Sequence, residues 1–182
     1  EKIGFDPVGI DPIENIVQSE VGIISLDNID PQTTDPYLFS SIYPSVNDIP
    51  NESSVNIPGF DLEPVTNNFT FNDFSEAVFS SGSLSLTVVN DLVIPLGDVD
   101  VKLKNSDGVE ISGASTTIAG PINSGTQASG MLDLAGVTLP GSVIVEVTGS
   151  SPGQDNVLIN EDEKNSSFSV QISGSNLEVT SA

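Results

Sequence analysis

From Phe69 to the end of the chain, apolar and polar residues alternate with a period of two. The pattern recurs in residues 84–88, 99–103, 132–134, 143–147, 168–172 and 177–179. Because successive side chains of a β-strand point to opposite faces, this spacing predicts strands with one buried and one solvent-facing side. No segment after residue 20 has the 3.6-residue period of an amphipathic helix. The pattern therefore predicts an all-β fold.

Turn-forming residues separate these segments, among them Ser81-Gly82, Asn105-Ser106-Asp107-Gly108 and Ser173-Gly174. The turn at 105–108, between candidate strands 99–103 and 109–111, predicts a hairpin. About seven to nine short strands at this spacing are typical of an antiparallel sandwich. We therefore expect an antiparallel immunoglobulin/fibronectin-like β-sandwich over residues 66–182.

Residues 1–65 have a different composition, in which prolines follow acids at Asp6, Asp11, Asp30, Asp35 and Glu63. Proline holds the residue before it in an extended conformation and lacks a backbone donor. This segment predicts an extended, Pro/Asp-rich N-terminal arm. Within the arm we expect a short helix over 12–17 and one strand over 21–26.

Several short motifs lie in the first half of the predicted sandwich. They are Leu84-Ser-Leu-Thr-Val-Val-Asn90, Ile94-Pro95-Leu96, Val99-Asp-Val-Lys-Leu103, Gly108-Val-Glu-Ile-Ser-Gly113 and Ile122-Asn-Ser-Gly125. In these motifs, residues 84–135 resemble the LEA14-like (water-stress) β-sandwich domains. The resemblance implies a fibronectin-like sandwich and a stress-protective role. That family places an Asn-Pro pair after its central strand, whereas Asp91 follows Asn90 here and the proline is Pro95.

The charge of the chain restricts its partners. There are 26 acidic residues and four lysines, with no arginine or histidine, and the net charge is −22. This charge repels nucleic acids and anionic membranes, so we expect neither as a partner. It also destabilises a compact chain unless salt screens it or divalent cations neutralise it. A simpler interpretation is that the acids keep an abundant exported protein soluble.

The residue inventory favours a non-catalytic protein. Cysteine and histidine are absent, which removes thiol chemistry, zinc–thiolate sites and the usual base of a serine nucleophile. Counting cannot exclude a carboxylate pair, but glycosidase clefts usually contain aromatic platforms, and this chain has no Trp and two Tyr. No apolar run is long enough to span a membrane.

Three groups of acids and amides are candidate Ca²⁺ sites, because Ca²⁺ prefers six to eight oxygen ligands. They comprise Asp27, Asn28, Asp30 and Asp35; Asn105 and Asp107, with Asp98 and Asp100 nearby; and Asn160, Glu161, Asp162 and Glu163. None has the spacing of an EF-hand loop. The competing interpretation is that they are solvated turns, where Asp and Asn bond to the local backbone. Possible Ca²⁺ is the only cofactor that the sequence indicates.

Five phenylalanines, at positions 60, 69, 71, 74 and 79, lie within twenty residues. They could form an apolar groove for a lipid or a partner strand. They could also attach the arm to the sandwich, which the alternation of Phe69 and Phe71 favours.

Together these features predict an extracellular or cell-surface β-sandwich with a structural or adhesive role. Its partners would be proteins or further copies of itself, since an extended arm can add a strand to a neighbour's sheet. On that hypothesis, deleting residues 1–60 leaves a folded, monomeric core. A second hypothesis is a module that binds glycans or small apolar ligands. A third is the stress-protective role that the resemblance implies.

Overall fold

Two antiparallel sheets lie on either side of one apolar core in the computed structural model, which describes residues 22–181. The strands are β1 (Ile24–Ser25), β2 (Ile29–Thr33), β3 (Tyr37–Leu38), β4 (Ser53–Ile57), β5 (Phe60–Asp61), β6 (Val65–Thr70), β7 (Glu76–Asn90), β8 (Val99–Lys104), β9 (Glu110–Ile118), β10 (Thr126–Asp133), β11 (Thr138–Pro140), β12 (Ser142–Ser151), β13 (Gln154–Ile159) and β14 (Ser167–Ser181). Two short helices, α1 (Phe39–Ile42) and α2 (Glu161–Lys164), and a 3₁₀ turn (Pro44–Asp48) complete the described chain. The predicted antiparallel β-sandwich is confirmed.

The larger sheet has seven strands built around β7 and β14. These two strands are 15 residues long each and pair with one another. On its other side β7 pairs with β10 and then β11, while β14 pairs with β1, β2 and β3. The smaller sheet has five strands, in which β12 lies between β8 and the pair β5 and β6, and β9 forms the edge beyond β8. A separate two-stranded sheet joins β4 to β13.

The inner positions of both sheets supply the core. Leu84, Leu86 and Val88 of β7 are fully buried, as are Val99 and Val101 of β8. Their chain neighbours Ser85, Thr87, Asp100 and Lys102 lie on the outer faces and are partly exposed. Burial of the branched aliphatic side chains is the main force that holds the two sheets together.

The predicted hairpin at residues 105–108 is confirmed. The backbone N–H of Asn105 donates to the carbonyl of Val109 at 2.9 Å, and β8 pairs with β9. The turns predicted at Ser81-Gly82 and Ser173-Gly174 are wrong, because β7 and β14 continue through these pairs. Gly82 has a φ of +132°, and a side chain there would meet Leu177 at 2.9 Å. The glycine therefore leaves room for Asn176 and Leu177, where the register of β14 shifts, and β7 continues past them.

The described part of the predicted arm holds more strands than the one expected. That expected strand is reduced to β1, and β2 to β5 follow it before residue 62. Pairing with β14, β12 and β13 satisfies the backbone groups that an extended segment would leave open. Ile29, Phe39 and Ile42 join the same core as the sandwich strands. The helix predicted over 12–17 lies outside the described residues.

Candidate functional site

Seven of twelve side chains on the outer face of three neighbouring strands of the larger sheet are serine or threonine. This surface is formed by Gln127, Ser129, Met131 and Asp133 of β10, Ser83, Ser85, Thr87 and Val89 of β7, and Ser169, Gln171, Ser173 and Ser175 of β14. The strand register aligns them in rows of three, such as Ser129, Thr87 and Gln171. We call this surface the hydroxyl face. Asp133, at one corner, is the one ionisable residue among these twelve, and two further exposed acids border the face, Asp30 on β2 and Glu178 on β14.

Half of the ten polar side chains on the hydroxyl face are hydrogen-bonded within the protein. The hydroxyls of Thr87 and Ser129 share a hydrogen bond of 2.7 Å, and those of Ser83 and Ser175 share one of 3.3 Å. The side chains of Ser85, Gln171 and Ser173 make no hydrogen bond to another residue within 22–181. Donors and acceptors at the centre of this face are therefore free for solvent or a ligand.

The outer face of the smaller sheet is charged. Lys102 lies 3.5 Å from Glu110, and Lys104 pairs more closely with Glu146, whose carboxylate accepts from its ammonium at 2.5 Å. Asp100, next to Lys102 on this face of β8, accepts a hydrogen bond from the Thr117 hydroxyl. Five ionised side chains of both signs lie on this surface, whereas the hydroxyl face as defined holds one. We call this second surface the charged face.

A shallow groove lies on the charged face. Its volume is about 370 Å³, and Asp100, Lys102, Ser115 and Thr117 are among the residues that line it. The carboxylate of Asp100 is already bonded to Thr117, and the Lys102 ammonium lies near Glu110. The two charged side chains that line the groove therefore already have partners.

The structure distributes the first calcium candidate group along separate strands and loops. Asp27 and Asn28 lie between β1 and β2, Asp30 is exposed on β2, and Asp35 is exposed between β2 and β3. The Asn28 side chain accepts a hydrogen bond from the backbone of Asn176 at 3.3 Å. This amide therefore attaches the β1–β2 connection to β14.

The second candidate group is occupied by its own turn. The Asn105 side-chain oxygen accepts from the backbone N–H groups of Asp107 and Val109, at 3.1 and 2.9 Å. Nearby in sequence, the Asp98 carboxylate accepts from the backbone N–H of Gly120 at 2.8 Å. Both side chains fix loops at the ends of β8.

The third candidate group begins helix α2. The Asn160 side chain accepts from the backbone of Asp162 and Glu163, and the Glu163 carboxylate accepts from the backbone of Asn160. This reciprocal capping box satisfies the free donors of the first helical turn. Glu161 and Asp162 are exposed beside it. Within residues 22–181, no three His, Cys, Asp or Glu side chains come close enough together to hold a metal ion.

The phenylalanine cluster belongs to the core. Phe69, Phe71, Phe74 and Phe79 are buried, and their rings contact one another in that order at centroid distances of 5.0 to 5.7 Å. Phe60 packs against Tyr43 at 4.5 Å, which joins β5 to the segment after α1. This arrangement agrees with attachment of the arm rather than with an open groove.

One ionisable group has a strongly shifted pKa. Burial raises the pKa of Tyr37 to about 12, the nearby Thr34 hydroxyl partly lowers it, and Asp35 raises it further. The hydroxyls of Thr34 and Tyr37 are not placed to form a hydrogen bond with each other. The buried Tyr37 oxygen has no partner among the described residues. Tyr37 also contacts Phe168 of β14, so it is a core residue rather than part of an open site.

Sequence reasoning identified the strands of the hydroxyl face but missed the face itself. The sequence signal for this face is the run of polar residues at the outward positions of the alternating segments. These are Ser85 and Thr87 in residues 84–88, and Ser169 and Gln171 in residues 168–172. That these segments are neighbours in one sheet follows only from the pairing of β7 with β14.

The sequence matches no family model and no curated protein. Among solved structures, the chain resembles the carbohydrate-binding module TmCBM61 in complex with β-1,4-galactotriose, at 10% identity and a TM-score of 0.29, over 88% of each chain. It also resembles a protein of infectious bursal disease virus, at 11% identity and a TM-score of 0.29, over 96% of this chain and 42% of that one. A third likeness is to the module CBM36 in complex with calcium and xylotriose, at 12% identity and a TM-score of 0.23, over 85% and 97%. At these values the likenesses carry no information on a ligand.

Among the described residues, no helix is long and apolar enough to cross a membrane.

Proposed function

We propose that this chain is a non-catalytic, extracellular or cell-surface module with a structural or adhesive role, and that it makes its contact through the hydroxyl face. The observation that carries the proposal is the scarcity of ionised groups on this face, one among twelve side chains, in a chain of net charge −22. Charge repulsion opposes the approach of other acidic molecules over most of such a protein. The hydroxyl face presents one carboxylate among its twelve side chains, so a partner meets few ionised groups there.

The rigidity of this surface supports the proposal. Its central strands β7 and β14 pair over most of their length and are covered on the inner side by fully buried residues such as Leu86 and Val170. Side chains held on a sheet lose less conformational freedom on binding than those of a mobile loop. The hydroxyl face is therefore preorganised for contact.

Adhesion of the labelled protein to intact microbial cells tests the proposal. The variant is Gln171→Glu, which places one carboxylate on the hydroxyl face with almost no change of shape. The matched control is Gln154→Glu, the same substitution at an exposed position of β13 in the two-stranded sheet. We expect wild type and control to adhere equally, and Gln171→Glu to lose adhesion by at least about tenfold, because desolvating an unpaired charge costs more than the ~1.4 kcal/mol that a tenfold change represents. Absence of wild-type adhesion, or equal loss in both variants, overturns the proposal.

The resemblance to water-stress domains leads to a separate proposal of stress protection. Residues 84–90, which carry part of it, form the half of β7 next to β10. Drying a sensitive enzyme with and without this protein tests the role. Recovery of enzyme activity no better than with an equal mass of albumin contradicts it.

A further inference from the structure

We infer that the ligand of the hydroxyl face is a neutral glycan chain. This inference rests on the proposed function, because it names the partner of the same surface. Ser85, Gln171 and Ser173 lie side by side at the centre of the face with no bond to another described residue. Hydroxyl and amide groups each donate and accept hydrogen bonds. Sugar hydroxyls have the same double capacity, so a polyhydroxylated ligand can pair with both kinds of group.

The charge of the protein selects among glycans. The chain carries 26 acidic residues, and Asp133 stands at a corner of the hydroxyl face. An acidic polysaccharide meets repulsion from this field as well as from Asp133. The absence of arginine from the sequence removes the bidentate partner that carboxylate or sulfate groups usually find. The face is therefore suited to uncharged sugars.

The composition of the face argues against a second copy as its occupant. Its twelve side chains cover on the order of 400 Å², given the usual strand and residue spacings, although the sheet continues past β14 onto β2 and β3. A stable dimer buries about 800 Å² on each partner, with an apolar centre. Val89 and Met131 are the only apolar members of the face. Packing two such faces together thus gives little hydrophobic stabilisation.

One of these apolar residues, Met131, suits a sugar ring. Met131, with 67% of its surface exposed, lies next to Ser85 across the β10–β7 pair. Its thioether can pack on the C–H groups of a pyranose while the hydroxyls of Ser85 and Ser173 bond to the ring's substituents. Each of these contacts replaces a contact with water and contributes little alone. Binding therefore depends on several sugar units in succession, and affinity increases with chain length.

Affinity electrophoresis in gels that contain a polysaccharide tests the inference. The neutral set is xylan, galactan, β-glucan and mannan, and the acidic set is alginate and polygalacturonate. We expect at least one neutral polysaccharide to retard the wild-type protein and the acidic set to leave it unretarded. Gln171→Glu raises the dissociation constant at least fivefold, whereas Gln154→Glu leaves it unchanged. The uncharged double variant Ser85→Ala/Ser173→Ala also weakens binding, which separates lost hydrogen bonds from added charge.

Three results overturn the inference. They are retardation by none of the neutral polysaccharides, equal weakening by Gln171→Glu and Gln154→Glu, and a dimer in sedimentation equilibrium that Gln171→Glu dissociates. Cells whose glycans have been oxidised with periodate separate this inference from the proposed function. If adhesion through the hydroxyl face survives oxidation, the adhesive role is supported and the identification of the ligand as a glycan is wrong. If a neutral glycan binds the face but cells do not, the ligand is correctly identified and the adhesive role is wrong.

Discussion

The side chain of Asn90 is bonded to the backbone of Ile122, with 2.8 Å between Nδ2 and the carbonyl oxygen. The same nitrogen donates to the carbonyl of Ile94 at 3.0 Å, and Oδ1 accepts from the backbone N–H of Leu92 at 3.1 Å. Asn90 is fully buried at the end of β7. Its side chain therefore ties the end of this strand to two connecting segments whose polar groups would otherwise be unpaired.

The first prediction is that Asn90→Asp destabilises the protein by about 3 to 5 kcal/mol. The substitution buries a carboxylate and turns an oxygen toward two carbonyl oxygens. Urea unfolding followed by circular dichroism measures the free energy. The control is Asn68→Asp, the same change at an exposed position of β6, which should cost less than about 0.5 kcal/mol. Equal costs for the two variants would show that Asn90 is not a buried structural link.

The second prediction concerns Tyr37 and alkaline pH. Its pKa is about 12 in the folded protein, against about 10 for an exposed tyrosine. The stabilisation from burying the neutral phenol is fully present below pH 10 and is lost as the pH rises toward 12, because only the unfolded chain then releases the proton. The loss attributable to this group is about 2 kcal/mol.

Urea unfolding of wild type and Tyr37→Phe at pH 8 to 12 measures this loss. Below pH 10 the variant should be at least as stable as wild type, because the buried hydroxyl that it removes has no partner among the described residues. Above pH 10 it should lose less stability than wild type. Parallel pH profiles for the two proteins would contradict the assignment.

The sequence predicts the sandwich because strand periodicity is a local property. Residues 99–103 alternate, and β8 occupies this region with its apolar residues inward. The lengths of β7 and β14 could not be predicted in the same way. Gly82 and Gly174 look like turn residues, and only the partner strand shows that the chain continues through them.

The hydroxyl face was harder to predict for a related reason. Ser85 and Ser173 are far apart in sequence, and their adjacency depends on long-range pairing that no local pattern encodes. The prolines of the arm favoured extended chain with a single strand, whereas the described part of the arm holds five short paired strands. Apolar residues such as Tyr37 and Phe39 bury their rings in the common core. For these residues burial outweighs the local preference for extended, unpaired backbone.

The third prediction tests whether the described arm shares the sandwich's stability. Phe39 of α1 is fully buried, and its ring stacks with that of Tyr43 at a centroid distance of 5.9 Å. Phe39→Ala should lower the free energy of unfolding by about 3 to 5 kcal/mol and retain a single transition. Thermal unfolding measured by calorimetry shows the number of transitions. A sandwich transition at the wild-type temperature would mean that the arm is energetically separate, as the earlier hypothesis of a detachable arm requires.

The fourth prediction compares the two ion pairs of the charged face. The side chains of Lys104 and Glu146 are 22% and 19% exposed, against 39% and 43% for Lys102 and Glu110. Lys104→Gln should therefore destabilise by about 1 to 2 kcal/mol and Lys102→Gln by less than about 0.5 kcal/mol. Urea unfolding in 0.05 and 0.5 M salt measures both. An equal effect of the two substitutions would show that burial does not strengthen the ion pair between Lys104 and Glu146.

The fifth prediction separates the two interpretations of the acidic loop before α2. The capping box that Asn160 forms with Glu163 needs no metal, and its loss should cost about 1 kcal/mol. Asn160→Ala should therefore lower the melting temperature equally in calcium and in sodium chloride of the same ionic strength. A calcium ligand would behave differently, because a cation bound to the native state adds stability that only the wild type would gain. Calcium that raises the melting temperature of wild type and not of the variant would establish a cation site at Asn160. An equal shift of both proteins in both salts would leave screening of the acidic charge as the effect of salt.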